Sequence, residues 1–284
     1  MSRNCIKITT LIIDYIESHL TEKIDLNILA KTLHYSSYHL HRMFTGTVGF
    51  TIHDYLQRRK LTEAAKMLVF SDKPILEIAL ITGYESQQAF TNIFTSMYKQ
   101  SPRKYRDNEK FYPLQLKFEF EWGYDMLENA EDFQMNIEYA SEEDIPCWMA
   151  LVRLVVDGFP HLNEAEYIRI LNQRISTKQA LILKHQDIAI GVMLFCYKTG
   201  SIDFMGTHPL YRKKGIPKLF LDKVMSELLK DKDISITTYR EGDKADTGYR
   251  KAIIDLGFAE AELLIEFGYP TQRFILARED ENEF

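Results

Sequence analysis

Cysteine is nearly missing from this chain. Cys5, Cys147 and Cys196 lie far apart in 284 residues, with no CxxC spacing and no clustered histidines. That pattern argues against a disulfide framework and against a zinc site, and it fits a reducing cytoplasm. No run of eighteen apolar residues exists, so no segment reads as a transmembrane helix, and the start lacks a charged-then-apolar leader. With 45% hydrophobic and 27% charged residues, the composition is that of an ordinary globular protein. The chain is long enough for two domains with separate cores.

Strong net charge is missing too, but the total of −6 hides a division. Residues 1–106 carry 14 Lys/Arg against 9 Asp/Glu, a balance of +5, whereas residues 107–284 carry 21 against 32, a balance of −11. The first part suits a phosphate backbone and the second does not.

What is present is a repeat. Ser36-x3-Leu40-x3-Phe44 returns fifty residues later as Ser86-x3-Phe90-x3-Phe94. Each copy follows a short apolar helix and a turn containing tyrosine, Leu33-His34-Tyr35 in one and Thr82-Gly83-Tyr84 in the other. A serine followed by large apolar residues at plus four and plus eight describes an N-capped helix with one buried stripe. A helix, a tight turn and a capped second helix form a helix-turn-helix, whose second helix reads the DNA major groove. Two copies in one chain imply a monomer that reads two neighbouring grooves of double-stranded DNA.

The flanking helices follow the same logic. Leu11, Ile12, Tyr15, Ile16 and Leu20 predict an opening amphipathic helix, and Asp25 an N-cap for a short helix carrying Leu29 and Ala30. A long helix spans about Thr51 to Val69, with Arg58, Arg59 and Lys60 at its middle. Arg58 and Arg59 are positioned either to meet phosphates or to remain solvated charges. Gly83 fits a positive φ, a place that His34 holds in the first copy. The outward residues are Ser37, Tyr38, His41 and Arg42 on the first reading helix, and Gln87, Gln88, Thr91, Asn92 and Thr95 on the second.

The run Ile75-Leu76-Glu77-Ile78-Ala79…Gly83-Tyr84-Glu85-Ser86…Phe90…Phe94…Ser101-Pro102-Arg103-Lys104-Tyr105-Arg106 resembles the signature of the AraC/XylS family of transcription regulators. The likeness covers about residues 5–106 and is nearest the MarA/SoxS/Rob-like branch. It implies base reading by Tyr38, His41 and Arg42 in the first unit, and by Gln87, Gln88, Thr91 and Asn92 in the second. The family usually has arginine at the place of Asn92, which is the repeat partner of Arg42.

Residues 107–133 form a connecting segment. Leu114, Leu116, Phe118, Phe120 and Trp122 alternate with polar residues, which predicts a strand docked on one domain, and Glu128 to Asp132 reads as a loop.

From residue 134 to 284, strands and helices alternate, an α/β domain with a mixed (α+β) central sheet. Its chemistry lies in Thr207-His208-Pro209-Leu210-Tyr211-Arg212-Lys213-Lys214-Gly215-Ile216-Pro217, between a strand and a helix. Such a loop aims backbone N–H groups at one point, and the helix dipole and Lys213 and Lys214 add positive charge, so a pyrophosphate can rest there. Pro209, Tyr211, Arg212 and Gly215 resemble motif A of the GNAT acetyltransferases, and Leu256-Gly257-Phe258 resembles the end of motif B. The resemblance implies that acetyl-CoA binds with its pyrophosphate on Arg212, Lys213, Lys214, Gly215, Ile216 and Pro217, and its pantetheine along Met205, Gly206 and Thr207.

Two positions depart from that pattern. Pro217 replaces a Gly or Ala and removes one N–H. Ile253 stands where the family often carries a tyrosine general acid, leaving Tyr249, one turn earlier, as the substitute. Asp203 is the only carboxylate on the preceding strand and the candidate general base, while Glu241, Asp243 and Asp246 form a cluster able to attract a cationic amine. His208 reads as a plain loop residue.

The leading expectation is therefore a cytoplasmic DNA-binding regulator with an all-α double helix-turn-helix domain (1–106) and a GNAT-like domain (134–284) that binds acetyl-CoA and acetylates a small amine. Two alternatives stand beside it: an inactive GNAT domain that senses an acyl-CoA or other ligand, and an acetyltransferase merely localised by its DNA-binding domain. No metal and no membrane partner are expected.

Overall fold

In the computed structural model, the described residues are 3–22, 24, 26–120, 135–155, 162–266 and 268–278. The chain divides into two compact units, one centred on residues 1–132 and the other on 133–155 and 163–284.

The first unit is helical: α1 (Arg3–Ser18), α2 (Leu26–Thr32), α3 (Ser37–Val48), α4 (Ile52–Phe70), α5 (Ile75–Ile81), α6 (Gln87–Tyr98) and α7 (Pro102–Asp107). The pairs α2/α3 and α5/α6 are local copies. His34 and Gly83 close α2 and α5 in the left-handed region, at φ 57° and 79°. In both turns the tyrosine amide then donates five residues back, Tyr35 to Ala30 O and Tyr84 to Ala79 O, each at 2.9 Å. This is the Schellman arrangement, which satisfies carbonyls that a helix end would otherwise leave bare. Ser36 Oγ accepts the His39 amide and Ser86 Oγ the Ala89 amide, so each second helix starts at the predicted serine. Leu40 and Phe44, like Phe90 and Phe94, are buried. The predicted cap Asp25 lies outside the described residues.

Helix α4 joins the copies and holds a buried charge network. Arg59 donates through Nε and Nη2 to the two oxygens of Glu17 at 2.7 and 2.8 Å, and through Nη2 to Glu63 at 3.0 Å. Its Nη1 reaches the Gln115 carbonyl at 3.0 Å. Glu17 also accepts from the Tyr55 hydroxyl at 2.8 Å. Burial, with the Glu17 charge beside it, pushes the Tyr55 phenol up, so it stays a donor. Arg58 is 2% exposed and lies 6.0 Å over the Phe50 ring. Neither reading of these arginines from sequence holds: both side chains are interior, because this face of α4 is covered.

Part of that cover is the segment after α7. Its predicted strand does not form among residues 107–120, which have no ladder partner. The amides of Leu114 and Gln115 instead donate to Thr62 Oγ1 on α4, at 3.1 and 3.2 Å. Phe118 stacks on Tyr55 at 5.6 Å and on Phe120 at 5.6 Å. The apolar residues therefore mark docking onto helices rather than a sheet. Trp122 and Glu128 to Asp132 lie outside the described residues.

The second unit runs β1 (Ile137–Tyr139), α8 (Ile145–Val155), α9 (Glu164–Ser176), β2 (Ala180–His185), β3 (Ile188–Phe195), β4 (Ser201–Thr207), α10 (Ile216–Lys223), β5 (Ile234–Tyr239), α11 (Tyr249–Asp255), β6 (Ala259–Glu266) and β7 (Tyr269–Leu276). The sheet order is β1-β2-β3-β4-β5-β7-β6, mixed, with β4 and β5 its parallel pair. Helix α10 makes the crossover between them. A 3-10 turn, Pro209–Lys214, precedes α10, and a π turn, Val224–Leu228, extends it.

Candidate functional sites

The first candidate site is the pair of outward helix faces. On α3, Tyr38 is 77% exposed and Arg42 is exposed, while Ser37 and His41 are half-buried. Ser37 Oγ donates to Asn27 Oδ1 at 3.0 Å, which ties the helix start to α2. On α6, Gln87, Gln88 and Asn92 are exposed and Thr91 is half-buried. Gln88 Nε2 donates to Asn92 Oδ1 at 2.9 Å across one turn. Each face stands on its own buried stripe, so the residues that could meet a groove are fixed by the same periodicity that builds the core.

The second candidate site is the opening between β4 and β5. Their pairing is confined to Ser201↔Ser235 and Ile202↔Ile236. Beyond it β4 stays paired to β3 as far as Thr207, and β5 to β7 as far as Tyr239. The sheet therefore parts into two wings, leaving the backbone of Met205, Gly206 and Thr207 without a partner from β5. Gly206 is closely packed: a Cβ there would lie 3.2 Å from Phe204 Cε1 and 3.3 Å from Val155 Cγ2.

The loop from β4 to α10 sits at this parting. Gly215 takes φ 71° and opens α10 with no side-chain cap, while Pro217 lies in the first turn, where its missing N–H costs little to the helix. Lys213, Lys214 and Gly215 are exposed, Arg212 and Pro217 are half-buried, and Ile216 is buried. Helix α10 is seated by Gly191 on β3, where a Cβ would come within 2.6 Å of Ile216 Cγ2 and 2.7 Å of Phe220 Cε2. His208 is more than a plain loop residue. Its Nδ1 accepts the Leu210 amide at 3.2 Å, and burial, with the Arg212 charge nearby, pulls its pKa down to about 4. Tyr211 is held from behind by His185, Nδ1 to hydroxyl at 2.7 Å.

The candidate proton-transfer groups fare unequally. Asp203 is bound by Arg174 Nη2 at 2.5 Å and by Ser201 Oγ at 2.7 Å, so its carboxylate is engaged in tying α9 to β4. Arg174 and His185 were not singled out in the sequence, and no local spacing signals either, since their partners lie far along the chain. The Tyr249 hydroxyl lies 3.5 Å from the carbonyl of Val155, the residue whose side chain packs near Gly206. Ile253 is buried at 4% exposure and serves the core. In the acidic cluster, Asp243 accepts the Tyr269 hydroxyl at 3.0 Å, and Asp246 takes the amides of Gly248 and Tyr249 at 2.9 and 2.8 Å. Two of the three acids thus shape the turn into α11. Among the described residues no His/Cys/Asp/Glu group could hold a metal, and no helix is long and apolar enough to cross a membrane.

Known proteins resemble the first unit clearly. The helix-turn-helix domain family matches residues 29–108. The uncharacterized HTH-type transcriptional regulator YbfP of Bacillus subtilis (strain 168) is 40% identical over 94 residues, 33% of this chain and 32% of its own length. Regulatory protein SoxS of Escherichia coli (strain K12) is 35% identical over 100 residues, 35% of this chain and 94% of its own. For the second unit, an acetyltransferase of the GNAT family from Bacillus cereus ATCC 10987 covers 52% of this chain and 100% of that one, at 14% identity and a TM-score of 0.42. That likeness is too distant to carry an argument. The chain belongs, through its N-terminal unit, to the AraC family of helix-turn-helix transcriptional regulators.

Proposed function

We propose that this regulator reads an asymmetric DNA site as a monomer, with α3 and α6 in successive major grooves. The observation that carries the proposal is the matched construction of the two helix pairs: a left-handed residue at the same place, the same 2.9 Å tyrosine amide bond and the same serine cap precede both outward faces. Because the chain itself holds both reading elements, a symmetric partner and a palindromic site are unnecessary. Ser37, Tyr38, His41 and Arg42 face one groove; Gln87, Gln88, Thr91 and Asn92 face the other. Selection of bound duplexes from a randomised library by the full chain tests this. An enriched, non-palindromic site of about two helical turns is expected; a palindrome bound by two chains overturns it.

The second unit is proposed to hold acetyl-CoA. The splayed β4 and β5 support that reading, since a strand backbone released from its neighbour has amides and carbonyls to offer an extended amide-bearing arm. The residues fit the group: Arg212, Lys213 and Lys214 supply charge, and Gly215 and Ile216 supply amides at an uncapped helix start, with Pro217 one donor short. Bound acetyl-CoA would supply an activated acyl group to an amine. Tyr249 is then the group proposed to give a proton to the leaving thiolate.

One observation supports a second reading, a sensor without turnover: Asp203 is engaged by Arg174 and Ser201, and a buried Ile253 stands in place of the tyrosine acid. Calorimetric titration of the full chain with acetyl-CoA, followed by a panel of amines, separates the readings. Binding with turnover that falls in Tyr249→Phe supports the enzyme. Binding without turnover supports the sensor, and no binding removes both.

A further inference from the structure

We infer that Gln88 and Asn92 act as one hydrogen-bonded unit that specifies an adenine, so that the two halves of the DNA site call for different bases. The inference rests on the proposal that α6 enters a major groove. It begins from a difference between the repeats. The stripe formed by Tyr38 and Arg42 on α3 corresponds to Gln88 and Asn92 on α6, counted from the serine caps. Arg42 is a donor-only fork, the complement of the two acceptors, N7 and O6, that guanine shows in the major groove. Helix α6 has no such group: from Gln87 to Tyr98 it contains no charged residue. Neither an arginine-to-guanine fork nor a carboxylate-to-cytosine contact is available there.

What α6 offers is a pair of amides already joined. Gln88 Nε2 donates to Asn92 Oδ1 at 2.9 Å, and both side chains are exposed. With that bond made, the Gln88 carbonyl oxygen is left as an acceptor, and the Asn92 amino group and the second Gln88 N–H as donors. Adenine shows the matching edge, the N6 amino group beside N7. Guanine turns two acceptors outward and would set O6 against the Gln88 carbonyl with no proton between them. The bond also holds two flexible side chains in one arrangement before DNA arrives, so less ordering remains to be done on binding. Gln87, Thr91 and Thr95 flank the pair and are uncharged, so no neighbouring charge on α6 competes for the same base.

The test is selection from a randomised duplex library with the full chain and with Asn92→Ala, Gln88→Ala, Asn92→Arg and Arg42→Ala. All three positions lie outside the buried stripes, and the four variants leave the serine caps intact. The parent chain is expected to enrich adenine at one position by about 5- to 150-fold over other bases, the equivalent of about 1–3 kcal/mol. Asn92→Ala and Gln88→Ala should each flatten that position alone, Asn92→Arg should move it to guanine, and Arg42→Ala should blur a guanine elsewhere in the site. The inference is overturned if the 88 and 92 variants keep every base preference, or if the base they blur is not adenine. Should Arg42→Ala still blur its own position in that case, groove reading survives and this inference alone is lost. A parent chain that enriches no sequence removes the groove reading, and this inference with it.

Discussion

Arg59→Met tests the assignment of the α4 arginines most directly, because it sets a buried structural role against a phosphate contact. Arg59 is 7% exposed and bonds both oxygens of Glu17, one of Glu63 and the carbonyl of Gln115. Without it Glu17, whose side chain is 15% exposed, keeps only the Tyr55 hydroxyl among the partners described above. Removing one member of a buried ion pair costs about 3–5 kcal/mol. Glu63, at 36%, can recover water, so the lower end, about 3 kcal/mol, is expected. With a urea m-value of about 2 kcal/mol/M, the midpoint of the helical unit falls by about 1.5 M. Urea titration of the full chain followed by circular dichroism at 222 nm reads this, with the second unit fitted as a separate transition. Glu17→Gln combined with Arg59→Met should recover part of the loss, since no lone charge then stays buried. DNA affinity measured across salt supplies the opposing readout. Each phosphate contact contributes about 0.9 to the slope of log K against log salt, and Arg59→Met should leave that slope unchanged. A variant of unaltered midpoint whose slope falls by about one unit would refute the buried-network reasoning.

Further outcomes follow from the same geometry. Arg42→Ala should lose about 1–3 kcal/mol of discrimination at one base position with little effect on the urea midpoint; equilibrium binding to single-base variants of the selected site measures it. Gly191→Ala should destabilise the second unit by about 1–3 kcal/mol and weaken the proposed binding of acetyl-CoA, because its methyl group displaces Ile216 and Phe220 and lifts the start of α10; a thermal scan with and without acetyl-CoA shows either result. His208 titrates near 4 when folded and near 6.5 when unfolded, so the unfolded chain binds the extra proton between those values. Its contribution is complete above about pH 6.5 and is lost as pH falls toward 4, on the order of 3 kcal/mol. His208→Asn should flatten the melting temperature of the second unit over that window; an unchanged pH profile would count against a buried neutral imidazole.

Much of the first unit was legible because its determinants are local. Ser36 and Ser86 cap through amides three residues on, and His34 and Gly83 adopt φ values that their own turns demand, so a window of ten residues contains the whole instruction. The outward residues follow from the buried stripe by helical period, and even the Gln88–Asn92 bond spans only one turn. The strand-loop-helix at Thr207 to Pro217 was readable on the same ground.

The rest depended on partners far away in the chain. Alternating apolar residues at 114–120 satisfy a strand and a docked extended segment equally, and Thr62 on α4 decides between them by taking the amides a neighbouring strand would have taken. Arg59 looks like a solvated helix charge until Glu17 and Gln115 close over it. Asp203 looks like a lone strand carboxylate until Arg174 binds it. In each case the side chain's environment comes from residues tens of positions away, and charge and hydrogen bonding are properties of that environment. Sequence by itself determined where the two reading helices start and which faces they expose; only the tertiary structure decided which polar groups are held in the interior and which remain to meet a ligand.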